Sequence, residues 1–275
     1  MPEGHVIHRY ARSHREALGG RVVAASSPQG RFAAGSELID GQQLESVDAY
    51  GKHLFYRWEG GATLHVHLGL FGRFRIHRSN PPPPTGATRL ALSTDEVVIY
   101  LSGPTVCELI DPDTEEALRT RLGPDPLVAR KRNGVAPSDA FVANMSRRSI
   151  PAGAALLDQR VIAGLGNIYR AEALFLEGID PHLPAREINP DRAVDLWVTS
   201  VELLRRGVRS GRIVTVDPTD VGARRRSDLG RTERLYVYQR HSQPCRRCGT
   251  SVMRAEMANR MLWWCPSCQP NGAGS

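Results

Sequence analysis

Residues 163–175 read AGLGNIYRAEALF, a short glycine-containing segment followed by helix-forming residues. Gly164 and Gly166 permit a tight turn in which the backbone can come close to another group. Asn167 then falls at the start of a helix, where its side-chain amide and the exposed backbone N–H groups can bind a phosphate. The alternative interpretation is a turn that only joins two helices.

The sequence around this turn divides into a strand-rich part and a helix-rich part. Helix-forming residues with Gly and Pro between them extend from residue 113 to about residue 217. One helix in this region begins at Asn189-Pro190, has one apolar face and stops near Gly207. Before residue 113, apolar and polar residues alternate with a period of two, which predicts antiparallel strands. The predicted strands cover residues 54–58, 64–68, 73–77, 89–92 and 97–101.

The amino terminus carries a candidate nucleophile. Apolar residues recur at helical spacing from Val6 to Leu18, so Pro2 and Glu3 lie at the beginning of an amphipathic helix. Removal of Met1 leaves Pro2 as a secondary amine, whose attack on an aldehyde-level carbon gives an iminium ion that withdraws electrons. The positive end of the helix disfavours the ammonium form of Pro2, and Glu3 can carry protons. Pro and Glu are also ordinary first-turn residues, so this start alone assigns no reaction.

Four of the five cysteines form two closely spaced pairs. Cys245 and Cys248 are one pair, Cys265 and Cys268 are the other, and sixteen residues separate them. This spacing is typical of a four-thiolate zinc site in which two tight turns face each other across a hairpin. The alternative is two reduced pairs without metal. We expect one structural Zn²⁺, with the fifth cysteine, Cys107, as a small core residue.

The net charge of +7 originates at the C-terminal end. Residues 190–275 contain 15 Arg, no Lys and 8 Asp and Glu, whereas residues 1–189 contain 21 charges of each sign. Arg suits phosphate contact because its planar, permanently charged guanidinium binds oxyanions through two parallel hydrogen bonds. Nucleic acid is therefore the leading partner, although a solvated basic face fits the charge alone equally well.

No apolar run approaches the roughly 20 residues of a membrane span, so we expect a cytoplasmic protein without membrane contact.

Together these segments resemble the formamidopyrimidine-DNA glycosylase/endonuclease VIII family of bifunctional DNA glycosylase/AP lyases, nearer the endonuclease VIII branch. The resemblance spans nearly the whole chain, in the family's order. Its motifs are Met1-Pro2-Glu3-Gly4, Gly51-Lys52-His53-Leu54 in a strand, the 163–175 stretch, and the four-cysteine finger with Asn259-Arg260 near its hairpin tip.

The fold implied by this resemblance is multidomain α+β. It comprises an N-terminal catalytic β-sandwich domain with an N-terminal helix (1–125), a helical domain with a helix–two-turn–helix motif (126–235) and a C-terminal β-hairpin zinc finger (236–270).

The resemblance also implies a base excision repair enzyme that flips oxidised bases out of DNA, excises them through an imine at Pro2 and cleaves the strand by β/δ-elimination. Glu3 is then the general acid, and Lys52, Asn167 and Arg260 bind phosphates around the flipped nucleotide. We count Lys52 and Arg260 with Pro2 and Glu3 as catalytic, because they would hold the sugar within reach of the amine.

The partner implied by the resemblance is damaged DNA, double-stranded and also single-stranded, bound by a monomer in the bacterial cytoplasm or nucleoid. The competing hypothesis is a zinc-finger DNA-binding protein without catalysis. A general zinc-finger protein explains the charge and the cysteines but not the amino terminus or the Gly-Leu-Gly-Asn motif at 164–167. A family member that binds DNA without catalysis predicts loss of Pro2, Glu3 or Lys52, and all three are present.

The Gly69-Leu70-Phe71-Gly72 segment places two large apolar residues in a turn between two predicted strands. Base extrusion requires a group that fills the vacated stack, and this segment resembles the intercalating loop of the endonuclease VIII branch. With the Met-Pro-Glu-Gly start, it favours oxidised pyrimidines as substrates. The alternative is that Leu70 and Phe71 pack in the sandwich core.

Two positions depart from the family: His5 replaces the usual proline, and Val6 replaces a common carboxylate.

Overall fold

The computed structural model describes residues 2–270. The chain forms two compact units, one ending at Arg121 and the other beginning at Leu122. Each unit has its own buried apolar core. None of the helices in the described residues combines the length and apolar character needed to cross a membrane.

The first unit is a β-sandwich with helices packed on it. Its elements in chain order are α1 (Gly4–Leu18), β1 (Val22–Ser26), α2 (Ala33–Ile39), β2 (Gln42–Tyr50), β3 (His53–Trp58), β4 (Thr63–His67), β5 (Arg73–His77), β6 (Thr88–Ser93), β7 (Val98–Ser102), β8 (Val106–Ile110) and α3 (Pro112–Arg121). The antiparallel strands follow the order β5-β7-β6-β1-β2-β3-β4-β8. Val22 and Val23 of β1 pair with β2, whereas Ala24, Ala25 and Ser26 pair with β6, so β1 passes from one sheet to the other. The predicted sandwich is confirmed.

Strand β3 shows how alternation builds this core. Leu54, Tyr56 and Trp58 are buried on the core side, where they belong to the same apolar cluster as Ile7 of α1. Phe55 points to the opposite face and is also buried, because the Arg119 guanidinium of α3 lies 4.4 Å from its ring centroid. Both faces of β3 are therefore covered, which holds the residues at its beginning in place.

The second unit combines helices with a C-terminal hairpin. Its regular elements are α4 (Pro137–Ser146), α5 (Ala152–Ala155), α6 (Asn167–Leu176), α7 (Pro190–Ser210), β9 (Met253–Met257) and β10 (Arg260–Trp264). Helix α7 begins at Pro190, with the Asn189 side chain accepting the Asp191 N–H at 2.9 Å. It ends at Ser210, before Gly211, whose φ of 68° terminates the helix, so it runs three residues beyond the predicted end near Gly207.

The turn between α5 and α6 is held by one glutamine. The Gln159 side chain accepts the Gly164 N–H at 3.0 Å and donates to the Leu165 carbonyl at 3.0 Å. Gly164 has a φ of 94°, a conformation that side chains disfavour. Helix α6 then begins at Asn167, so the turn-to-helix expectation for residues 163–175 is confirmed.

Candidate functional site

The amino terminus leads directly into α1. Glu3 is the N-cap residue, and its carbonyl accepts the Val6 N–H at 2.9 Å, whereas its carboxylate does not cap the helix. Glu3 is 0% exposed and Pro2 is half-buried. Burial and the Arg9 guanidinium lower the pKa of His5 to about 4, so His5 is neutral near pH 7. A carboxyl group therefore follows the candidate amine at the positive end of a helix.

Lys52 lies in a hairpin turn rather than in a strand. Tyr50 pairs with His53, so Gly51 and Lys52 are the two central residues between β2 and β3. Gly51 has a φ of 59°, which suits the first central position of a type II′ turn. The expectation that the whole Gly51-Lys52-His53-Leu54 motif lies in a strand is wrong by two residues. The turn leaves the Lys52 side chain half-buried.

Leu70 and Phe71 lie outside the core. They occupy the turn between β4 and β5, where Leu70 is 42% exposed and Phe71 is 84% exposed. Gly69, with a φ of 62°, forms one end of the turn, and a Cβ there would lie 1.8 Å from the Thr105 hydroxyl oxygen. The turn is therefore fixed by glycine while its two apolar side chains are exposed.

The second unit brings the Asn167 turn and the hairpin together. The Asn167 side chain donates to the Met261 carbonyl of β10 at 2.9 Å, and Met261 directly follows Arg260. The hairpin turn consists of Ala258 (φ 53°) and Asn259 (φ 56°), the two positive φ values of a type I′ turn. Arg260 is the first residue of β10 and is exposed.

The four cysteines of the finger converge. Their sulfur atoms all lie within 4.8 Å of one another. Cys245 Sγ is 3.8 Å from Cys268 Sγ, and Cys248 Sγ is 3.4 Å from Cys265 Sγ. Four thiolates at a Zn–S distance of about 2.3 Å lie about 3.8 Å apart in a tetrahedron, so these four positions fit a zinc ion.

A buried carboxylate in α6 anchors the chain segment that leads into the finger. Glu172 is fully buried and accepts the backbone N–H groups of Tyr236, Val237 and Tyr238 at 2.8–2.9 Å. The Thr215 hydroxyl also donates to it. Buried polar groups need hydrogen-bond partners, and these four donors supply them to the Glu172 side chain. The residue pattern around Glu172 does not reveal this role, because most of its partners are main-chain groups.

A second cluster that sequence reasoning missed lies on the outer face of β3, β4 and β8. His53 Nδ1 lies 2.9 Å from His65 Nε2, and His65 Nδ1 lies 3.1 Å from Glu108 Oε1. Burial lowers the pKa of His53 to about 3, and the positive charge of Lys52 contributes to this shift. The signal available in the sequence is the alternation of His65 and His67 along β4.

A comparison with curated proteins decides the family. Endonuclease 8 1 of Mycobacterium tuberculosis is 42% identical over 275 residues, covering 98% of this chain and 100% of the relative. The chain belongs to the formamidopyrimidine-DNA glycosylase/endonuclease VIII family. Formamidopyrimidine-DNA glycosylase of Thermus thermophilus is 34% identical over 242 residues, covering 86% of this chain and 85% of that protein.

Models of this family's domains match successive parts of the chain. The N-terminal domain of formamidopyrimidine-DNA glycosylase matches residues 1–112, and its H2TH domain matches residues 122–218. A zinc finger found in FPG and IleRS matches residues 242–271. With the four-cysteine cluster, this last match confirms one structural zinc ion in the finger.

Solved structures agree with this assignment. The crystal structure of MutM (FPG) from Thermus thermophilus has a TM-score of 0.75 and 33% identity, covering 98% of this chain and 100% of that one. A complex of the LlFpg protein with THF-DNA and an inhibitor has a TM-score of 0.79 with 20% identity, covering 98% of this chain and 100% of that one, which shows a shared fold.

Proposed function

We propose that this chain is a base excision repair enzyme, a DNA glycosylase that removes oxidised bases and an AP lyase that cleaves the strand at the resulting abasic site. Its full-length similarity to an endonuclease 8 supports this activity. The observation that carries the proposal is the amino terminus, where a proline that can become a secondary amine precedes a fully buried glutamate at the start of α1.

The chemistry assigned to this pair begins with a nucleophilic substitution at the sugar. With Met1 removed, the Pro2 nitrogen forms a bond to C1′ as the bond from C1′ to the damaged base breaks, and Glu3 supplies a proton as general acid. Glu3 then takes the proton from the Pro2 nitrogen and passes it to O4′ as the C1′–O4′ bond breaks, so the sugar ring opens to an iminium ion. Because the iminium withdraws electrons, loss of a C2′ proton expels the 3′ phosphate, and loss of the C4′ proton in a second elimination expels the 5′ phosphate.

Phosphate binding is assigned to Lys52, Asn167 and Arg260. Lys52 is at a hairpin turn, Arg260 is next to one, and Asn167 is at a helix start, where backbone N–H groups are exposed. Leu70 and Phe71 are assigned to the space left by the flipped base, which their exposure supports. The functional division proposed is a catalytic domain (1–125), a helical domain (126–235) and a zinc finger (236–270).

Oxidised pyrimidines are the proposed substrates, in double-stranded and also single-stranded DNA. The similarity to an endonuclease 8 along the whole chain and the exposed Leu70-Phe71 turn support this choice. The proposed state is a monomer acting in the cytoplasm or nucleoid.

The test is covalent trapping by borohydride on abasic DNA. The iminium at Pro2 is reduced to a stable amine, so protein with a free Pro2 should become fixed to the DNA. Pro2→Ala and a protein with an uncleaved N-terminal extension should trap far less, although both keep the finger. Trapping by the extended protein at the level of the processed one would reject Pro2 as the nucleophile, and binding without trapping would identify a non-catalytic DNA-binding protein.

A further inference from the structure

Arg170 is a fully buried arginine one turn into α6, on the same helix face as Asn167 because the two are three residues apart. Its Nη2 donates to the Asn167 side-chain oxygen at 2.5 Å and to the Met261 carbonyl at 2.9 Å. Its Nη1 lies 3.3 Å from the Gly153 carbonyl of α5. One guanidinium thus joins α5, the start of α6 and the strand β10.

These contacts form a closed triangle with the Asn167 amide. Asn167 donates to the same Met261 carbonyl, at 2.9 Å, to which Arg170 donates. A carbonyl oxygen has two lone pairs and can accept both bonds. The amide orientation of Asn167 is therefore fixed at both ends: its oxygen accepts from Arg170, and its nitrogen donates to β10.

The triangle also fixes the hairpin that carries Arg260. The backbone of Met261, the next residue, is bonded to two side chains of α6, and among the described strands β10 pairs with β9 alone. A two-stranded hairpin alone is marginally stable, so contacts of this kind determine where its tip lies. The other strand of the hairpin, β9, packs closely against α5: a Cβ on Gly153 would lie 2.8 Å from the Met257 sulfur.

We propose that Arg170 is a positioning residue that locks Asn167 and the Arg260 hairpin into one rigid phosphate-binding unit. This inference rests on the proposed function, because it assumes that Asn167 and Arg260 bind DNA phosphate. Arg170 itself is buried and acts through these two residues. A charged donor shared between two acceptors suits this role, since charge-assisted hydrogen bonds are short and directional.

The first arm of the test uses the free protein and needs no DNA. In wild-type protein, the two side-chain amide protons of Asn167 should give separate NMR signals that exchange slowly with solvent. In Arg170→Gln they should exchange at least about tenfold faster, because a charged hydrogen bond has been lost. Unchanged protection of the Asn167 amide would overturn the proposal. If Arg170→Gln does not fold, Arg170→Lys is used instead, since it keeps the buried charge but not the fork of two donors.

The second arm measures binding to a duplex with a non-cleavable abasic analogue. Arg170→Gln should weaken binding about tenfold, and so should Asn167→Ala. The double variant should be no weaker than the worse single variant, because both substitutions break the same triangle. Effects that multiply to about a hundredfold would overturn the proposal. Arg170→Gln should also keep the wild-type slope of log affinity against log salt, whereas a slope lower by about one would show direct phosphate contact and reject positioning.

Arg240 provides a matched control for general loosening of the finger. It is buried in the same unit and donates to the Tyr236 carbonyl at 2.6 Å and the Pro244 carbonyl at 2.8 Å. Arg240→Gln should lower thermal stability but keep the Asn167 amide protection and the affinity of the folded protein. An equal loss of affinity in Arg240→Gln would refute a specific role for Arg170. If wild-type protein binds no abasic DNA, the proposed function fails, and the NMR arm still decides whether Arg170 holds Asn167.

Discussion

His14 should make the first unit lose stability in mild acid. Its ring is fully buried in the core, where Nδ1 lies 2.7 Å from the Tyr56 hydroxyl oxygen and the ring packs edge-on against Phe74 at 4.7 Å. Burial lowers the pKa of His14 from 6.5 to about 3. The unfolded chain therefore takes up a proton near pH 6.5 that the folded unit does not bind until about pH 3.

The sign and size of the effect follow from this difference in pKa. The contribution of His14 to stability is fully present above pH 6.5 and is lost as pH falls toward 3, since only the unfolded state gains the proton. At about 1.4 kcal/mol per pH unit, the free energy of unfolding should fall by about 2 kcal/mol between about pH 7.5 and pH 5 from His14 alone. His14→Asn removes the titrating group and keeps a polar atom near Tyr56, so this variant should lose about 2 kcal/mol less over the same range.

The assay is urea unfolding of the protein, with hydrogen-exchange labelling of β3 reporting on the first unit at the two pH values. Tyr56→Phe is the control, because it removes the hydrogen bond but leaves His14 buried and titratable. It should lower stability at both pH values and keep the wild-type pH dependence. If His14→Asn loses as much stability as wild type between the two pH values, the burial argument is refuted.

Four further outcomes test the proposed site. Glu3→Gln should lose base excision from intact nucleotides but keep part of the cleavage at preformed abasic sites, where proton delivery to a leaving base is no longer needed; equal losses on both substrates would argue against a general acid. Cys268→Ser should lose about one zinc per chain by metal analysis, together with DNA binding. Replacing Leu70 and Phe71 by Ala should slow excision at least severalfold while shifting the melting temperature little, since both are exposed; a large shift would place them in a core. Lys52→Ala should reduce the slope of log affinity against log salt by about 0.9 if Lys52 neutralises one phosphate, and an unchanged slope would exclude that contact.

The sequence predicts the strands whose alternation is regular and misses those whose alternation is interrupted. Strand β2 has a register shift between Leu44 and Ser46, so its buried residues Leu44 and Val47 are three apart and mimic a helical spacing. Strand β8 lies at the edge of the sheet, and Val106–Ile110 has no fully buried position to mark one face. The bulge and the edge are set by pairing with distant strands, which local periodicity does not record.

The residues of the candidate site also fall into two groups, those that the sequence reveals and those that only the fold reveals. Residues with side-chain chemistry of their own, such as Pro2, Glu3 and the four cysteines, can be proposed from type and spacing. Arg170 and Glu172 cannot, although both stand in the quoted 163–175 stretch, because their partners include main-chain atoms of Met261 and of residues 236–238. Main-chain carbonyl and N–H groups are present at almost every residue, so only the fold shows which of them meet a buried charge.

The excess of arginines at the C-terminal end includes side chains that contact the protein itself as well as exposed side chains that can contact DNA. Arg240 donates to two main-chain carbonyls, and Arg246 donates to the Leu235 carbonyl at 3.0 Å and to another carbonyl nearby. The Arg247 guanidinium lies 5.0 Å from the Tyr236 ring centroid. The donors of Arg240 and Arg246 are directed at main-chain carbonyls and the Arg247 guanidinium lies over an aromatic ring, so these three side chains have structural contacts within the second unit. The salt dependence of DNA binding should therefore reflect fewer cations than the 15 arginines of residues 190–275, and it should come from exposed ones such as Arg260.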